Sequence, residues 1–235
     1  MFPLRDENPT ETFPWVTIAL IAANVLVFLY QLSLGVEGGS PEKFVYTYAL
    51  IPYEVTKGTN ITAEVTPYIY LPIFTSMFLH GGFLHIISNM WYLWIFGNNV
   101  EDTLGHFKFI FFYLLAGLGG TVGHILSNPL SQTPSLGASG AIAGVLGAYL
   151  LLFPRARIIT LLIIVFFIEI ISLPALFLIG FWFVLQLLSG VGSIAGGQSG
   201  GVAWFAHVGG FIAGFILILI LPKRKKARPQ KEYWV

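Results

Sequence analysis

The sequence predicts an all-α polytopic membrane protein, a bundle of six transmembrane helices with a short, submerged fourth helix. Three observations predict it. Of 235 residues, 56% are hydrophobic and 10% charged, against roughly 25% charged in an ordinary soluble domain. Apolar runs of about 17–25 residues, enough to span a bilayer, recur along the chain. Basic residues gather at one end of those runs. The net charge of +1 singles out no partner class, and no nucleic acid is expected. With no cysteine, disulfides, thiolate metal sites and cysteine nucleophiles are excluded.

The first run, Trp15 to Leu32, exceeds a signal-peptide core of about 7–15 residues, and no A-x-A-like cleavage site follows it. It reads as a retained helix with Pro14 in its opening turn. Further runs lie near 72–97, 107–127, 173–190 and 202–221, with a shorter one from Ser139 to Phe153. The stretch 154–172, "PRARIITLLIIVFFIEIIS", is awkward. Fused to the next run it would make a helix of about 50 Å, too long for a hydrocarbon core of about 30 Å. Residues 155–172 are therefore read as interfacial, with Glu169 at headgroup level; a tilted or kinked helix is the alternative. The chain divides into a tail (1–13), a six-helix domain (14–221) and a basic tail (222–235).

Six spans put both termini on one side. That side holds Arg5, Lys108, Arg155, Arg157 and the tail "KRKKARPQK"; the other holds only Lys43 and Lys57. The basic side is cytoplasmic, so loops 35–71, 128–138 and 191–201 face outward. The basic tail serves as a topology signal and lipid contact.

Depth then brings polar residues together. Ser139 and His207 each lie about 15 residues, or roughly 22 Å, above the inner ends of their helices. His85 is about 18 Å up on the second helix, with Asn89 one turn lower. Unpaired polar groups at that depth cost several kcal/mol, and intramembrane ionisable residues point to function by default. Gly140-x-x-x-Gly144 and Gly210-x-x-x-Gly214 permit close approach of helices four and six. Contact there would bring the Ser139 hydroxyl to the His207 imidazole, the minimum for an activated nucleophile. Free N–H groups at the head of helix four, flanked by Gly137 and Gly140, favour a developing anion. His85 and Asn89 can add donors, or can bond to each other across one turn. The acidic residues lie in loops, tails or the interfacial segment, so no carboxylate completes the pair. No metal is expected, since H-E-x-x-H is absent, and no cofactor.

Three stretches resemble the rhomboid intramembrane serine proteases: "HGGFLHIISN" (80–89), "GASGAIAG" (137–144) and "AHVGGFIAG" (206–214). The resemblance extends over about residues 14–221. It implies Ser139 as nucleophile, His207 as general base and then acid, and His85, Asn89 and the Ser139 N–H as oxyanion donors. It implies that His80 ties the first outer loop to helix two, that Glu101 stabilises the inner turn after helix two, and that Gln186 sits on helix five near a gate facing helix two. Two features depart from the family pattern. Ala143 stands where many members stack a tyrosine on the base, leaving Trp204 or Phe205 to orient His207. The first outer loop reads "PYIYLPIF" (67–74) in place of a Trp-Arg pair.

The implied activity is cleavage of transmembrane segments near the outer face through an acyl-enzyme. Substrates are expected to carry helix-weakening residues and a small residue before the scissile bond, and to enter beside helix two or five. The Gly/Ser-rich stretch 189–201 suits a mobile lid. Substrate transmembrane proteins and lipids are the expected partners. A non-proteolytic protein that binds transmembrane helices, and a small transporter or channel, are the rival readings. His106 and His124 are expected to be bystanders.

Overall fold

The computed structural model describes residues 1–36, 39–61, 68–164, 167–195 and 202–224. Long apolar segments form the helices, as bilayer-length hydrophobic runs must satisfy their backbone groups internally. The order is β1 (Phe2–Asp6), α1 (Trp15–Val36), α2 (Pro41–Tyr48), α3 (Pro52–Lys57), α4 (Pro72–Thr75), α5 (Phe83–Leu104), α6 (His106–Ser127), α7 (Ser139–Leu152), β2 (Arg157–Ile164), β3 (Phe167–Pro174), α8 (Ala175–Ala195) and α9 (Trp204–Ile220). Among the described residues three helices are long and apolar enough to cross a membrane: Trp15–Val36, His106–Ser127 and Ala175–Ile194. Ser139–Leu152 and Trp204–Ile220 are shorter apolar helices.

Helix α7 is the centre of the bundle. Every residue from Gly140 to Tyr149 is buried. Glycine makes this possible: a Cβ on Gly210 of α9 would lie 1.9 Å from the Gly140 carbonyl oxygen, and one on Gly214 would lie 2.1 Å from that of Gly144. On the other side, a Cβ on Gly144 would lie 2.4 Å from the Ala116 methyl of α6. The backbones touch without side chains between them, which maximises dispersion where lipid supplies no hydrophobic drive.

The all-α expectation fails at one end of the bundle. β1, β2 and β3 form a three-stranded antiparallel sheet in that order. The stretch 155–172, read as an interfacial segment or else a kinked helix, is thus built as an antiparallel strand pair and not as a helix, and the tail before α1 contributes a third strand. Ile-rich, β-branched sequence favours strands, while a continuous apolar run lacks the period that separates strand from helix. The second helix also starts later than the apolar run from 72: α4, a 3₁₀ turn (Ser76–Phe78) and a loop precede α5.

The same end is tied together by two acids in the last turn of α5, not in a loop. Buried Glu101 accepts from the Val16 N–H (2.9 Å), the Thr17 N–H (2.8 Å) and the Thr17 hydroxyl (2.7 Å). It thereby caps the N-terminus of α1, where backbone donors lack intrahelical partners. It also meets His106 Nδ1 at 2.5 Å, so its reach extends beyond the inner turn to a second helix. Asp102 accepts from the Thr12 N–H at 3.0 Å and faces Arg224 Nη1 at 3.3 Å. Both described ends of the chain thus meet at one end of the bundle.

Asp6 of β1 accepts from the Tyr149 hydroxyl of α7 (2.9 Å) and from Asn99 Nδ2 (2.6 Å). Burial raises its pKa above the usual carboxylate value, partly offset by these bonds.

Two tests follow from these acids. Glu101→Ala leaves the α1 donors uncapped and is expected to lower the unfolding free energy by about 3 kcal/mol, with Glu101→Gln losing less; denaturant titration in micelles measures it. For Asp6, a folded-state pKa above the unfolded one gives stability that is complete at low pH and lost as pH rises through the folded pKa. Asp6→Asn is expected to flatten that decline in unfolding midpoint against pH.

Candidate active site

Ser139 is the first residue of α7, and His207 lies in the first turn of α9. The glycine contacts between those helices draw the two side chains together: Ser139 Oγ is 2.8 Å from His207 Nε2. His207 Nδ1 is 2.7 Å from Gln186 Oε1. Gln186 is buried on α8. A carbonyl oxygen can only accept, so Nδ1 carries the ring proton and Nε2 offers its lone pair to the serine hydroxyl.

Gln186 lies on helix five as expected, and the structure gives its side chain a partner that was not foreseen, the imidazole of His207. That contact also answers what orients His207 in the absence of a tyrosine at Ala143. The indole of Trp204 meets the imidazole edge-on at 6.4 Å and that of Trp182 lies at 6.0 Å. Phe205 instead packs its ring against Gly190. A lone polar residue in an otherwise apolar run needs a buried partner; that was the available signal for Gln186.

His85 and Asn89 lie in the first two turns of α5. The Gly81 N–H donates to His85 Nδ1 at 3.3 Å, so in the neutral ring Nε2 carries the proton. A Cβ on Gly137 would fall 2.8 Å from that Nε2 and 3.7 Å from Ser139 Oγ. Gly137, at φ +129°, is thus the spacer that lets ring and hydroxyl flank one point. Its N–H donates to the Ser76 carbonyl at 2.9 Å. Asn89 Nδ2 donates to the His85 carbonyl at 2.9 Å, the bond across one turn foreseen as an alternative, which leaves the amide one further hydrogen. Ala138 stands at the N-cap of α7 and makes no side-chain cap bond, so the cap residue itself supplies no acceptor to the first-turn N–H groups beside Ser139. Gly140 serves packing: its Cα faces Gly120 of α6 as well as α9.

A cavity of about 1230 Å³ lies over these groups, lined among others by His85, Asn89, Ser139, Trp182 and His207. His124 of α6 lines it too; its Nδ1 is buried without a hydrogen-bond partner among the described residues. His80, buried in the loop before α5, meets His85 edge-on at 5.1 Å. Its backbone N–H and carbonyl each bond the Gln31 side-chain amide at 3.2 Å. His80 therefore ties the entry of α5 to α1. The segment between α1 and α4 is held by Leu50, whose N–H and carbonyl bond Ser135 at 2.9 and 2.7 Å, and by the Tyr53 N–H, which donates to the Ser131 carbonyl at 2.9 Å. Of the stretch 189–201, residues to Ala195 complete α8, and 196–201 lie outside the described residues. Among the described residues no group of three or more His, Cys, Asp or Glu is placed to hold a metal.

Fold and site together define a multi-pass integral membrane protein with a serine–histidine pair at one end of a helix bundle. The Rhomboid domain profile matches residues 69–224, and the chain belongs to the rhomboid family. It is 30% identical over 225 residues to the rhomboid protease GluP of Bacillus subtilis, covering 92% of this chain and 36% of the relative. It is 30% identical over 224 residues to the mitochondrial Rhomboid protein 1 of Saccharomyces cerevisiae, covering 91% and 55%. It is 26% identical over 238 residues to the mitochondrial RHOMBOID-like protein 6 of Arabidopsis thaliana, covering 92% and 72%. The chain thus spans between about a third and three quarters of these relatives' lengths.

Gln186→Ala is expected to slow acylation of Ser139 by a fluorophosphonate about 10- to 100-fold, since an untethered base loses much of its acid–base contribution. Gln186→Glu, which keeps an acceptor at Nδ1, is expected to retain most of the rate. Mass spectrometry of the labelled protein over time measures both, with unfolding midpoints to confirm an intact fold.

Proposed function

We propose that this chain is an intramembrane serine endopeptidase that cleaves transmembrane segments of other membrane proteins. The observation that carries the reading is the chain of contacts from Ser139 Oγ to His207 Nε2 (2.8 Å) and from His207 Nδ1 to Gln186 Oε1 (2.7 Å). Membership of a family that includes a protein named a protease supports it.

In this reading His207 Nε2 takes the hydroxyl proton as Ser139 Oγ attacks the scissile carbonyl. The oxygen that becomes negative sits beside Gly137, between His85 Nε2–H and the N–H groups at the head of α7, with the second Asn89 hydrogen in reach. His207 then gives its proton to the leaving amine. Water repeats the sequence on the acyl-enzyme and restores the hydroxyl. Gln186 holds the tautomer throughout.

Six membrane-spanning segments within 14–221, with both termini cytoplasmic, complete the proposed topology. The Lys and Arg distribution supports it, as does the meeting of both described chain ends at one end of the bundle. The site then lies toward the outer face. A transmembrane helix hides its peptide bonds in its own hydrogen bonds, so substrates need Gly or Pro near that face to unwind there. The cavity, already walled by α5 and α8 residues such as Tyr92 and Trp182, receives the unwound strand.

Ser139→Ala and His207→Ala, each reconstituted with a transmembrane reporter carrying a Gly-rich outer segment, are expected to lose turnover by about 10⁴-fold or more while keeping the unfolding midpoint of the parent. Cleavage by Ser139→Ala at the parent rate would overturn the reading. Reporter binding with neither cleavage nor fluorophosphonate labelling of the parent would instead favour a non-proteolytic transmembrane-helix binder.

A further inference from the structure

The β2–β3 hairpin carries an apolar face whose outer part no described residue covers. Register assigns the two faces. Ile163 pairs with Ile168, Leu161 with Ile170 and Ile159 with Ser172, while Phe2 of β1 stands opposite Leu161. Directly paired residues share a face, so these side chains form one aliphatic surface. Its outer part is open: Ile163, Ile168 and Ile170 are 56%, 69% and 65% exposed. At its base stand Arg5, opposite Ile159, and Arg157, both exposed. Near the base the other face packs inward, with Ile158 and Thr160 fully buried and Pro3 and Asp6 turned the same way. Glu169, the one charge beyond the base of the hairpin, pairs with Leu162 and so lies on this second face.

We propose that the hairpin is a seat on the bilayer, its aliphatic face resting on the acyl chains of the leaflet nearest the chain termini and Arg5 and Arg157 at phosphate level. Continuity argues for lipid as the occupant. α8 starts directly after β3, and its outward Leu176, Phe177 and Phe181 are at least half exposed, so the face extends the belt of a membrane-length helix. Charge argues the same way: cations ring the base of the apolar face, as in interfacial amphipathic elements, and the lone carboxylate is on the reverse. The depth is set by the backbone. β3 has β2 on one side and no strand on the other among the described residues, and open edges are not tolerated in hydrocarbon. The hairpin therefore lies flat at the headgroup boundary, where water reaches its edges.

The absence of cysteine makes the test direct. Single-cysteine variants Ile163→Cys, Ile168→Cys, Ile170→Cys and Glu169→Cys carry a nitroxide in the full chain, reconstituted in phosphatidylcholine–phosphatidylglycerol vesicles. Lys43→Cys, in a helix of the first outer loop, is the aqueous control. The ratio of collision with oxygen to collision with a water-soluble nickel chelate is expected to be several-fold higher at 163, 168 and 170 than at 169 and 43. Chelate access at all five sites alike would overturn the proposal by placing the hairpin in water. Exclusion of both reagents with dipolar broadening between labels would overturn it by placing a second copy along β3.

Discussion

The contact of α7 with α9 through glycine is the constraint on which the rest of the structure depends. With Gly210 seated on the Gly140 carbonyl and Gly214 on that of Gly144, the two helices have no freedom to rotate or slide without a clash. Ser139 is adjacent to the first of these contacts and His207 lies one turn before it, so helix packing sets the distance between hydroxyl and imidazole. In a soluble enzyme, water expulsion would help hold such a site. Between helices in lipid that drive is absent, and close van der Waals packing replaces it. A residue as small as alanine at Gly210 would have to displace backbone, moving both reactive groups apart.

Polar groups then stabilise the arrangement at both ends of the bundle. At one end Glu101 and Asp102 collect donors from α1, the segment before it and Arg224, while Asp6 secures the sheet to α7 through Tyr149. At the other end the loops meet at Leu50 and Ser135, and the Ser76 carbonyl accepts from Gly137. α7 is thereby fastened by its last two turns through Tyr149 and by its first residues through Gly137. Ser139 thus rides on a buried helix fastened at both ends, which in the proposed reading suits a group that must hold its geometry.

Much of this was legible in the residues. The apolar runs that become α1, α6, α7, α8 and α9 follow from hydropathy, and the Ser139–His207 meeting follows from matched depth plus the paired G-x-x-x-G stretches. Three things were not legible. The sheet was missed because "RIITLLII" and "FIEIISLP" are apolar at nearly every position, which erases the alternation that marks a strand; only β-branching remained as a cue. Gln186 was singled out but its contact with His207 was not foreseen, because α8 can be rotated about its axis without changing its hydropathy pattern. The α8 rotation is set by tertiary contacts such as Phe183 stacked on Phe211 at 4.1 Å, which no periodicity reports. Glu101 was placed in a turn for a related reason: the helix continues past the apolar run to Leu104, carried by caps to neighbouring segments and not by lipid.

A glutamine behind His207 has a physical logic. A carboxylate behind His207 would stabilise an imidazolium better than an amide does, but it would also have to be held, charged, among Trp182, Phe183 and the other side chains between α8 and α9. Burying an unpaired carboxylate costs several kcal/mol even after relaxation, and no cation among the described residues is placed there to offset it. A glutamine carbonyl gives up part of the electrostatic gain and avoids that cost. It still accepts one hydrogen bond and so selects the tautomer in which Nε2 faces the serine. In the proposed reading the division of labour therefore differs from a triad with an acid: orientation comes from Gln186, and charge stabilisation has to come from the helix N–H groups and His85 around Gly137. A site built within a membrane protein favours that division because dipoles can be buried more cheaply than ions.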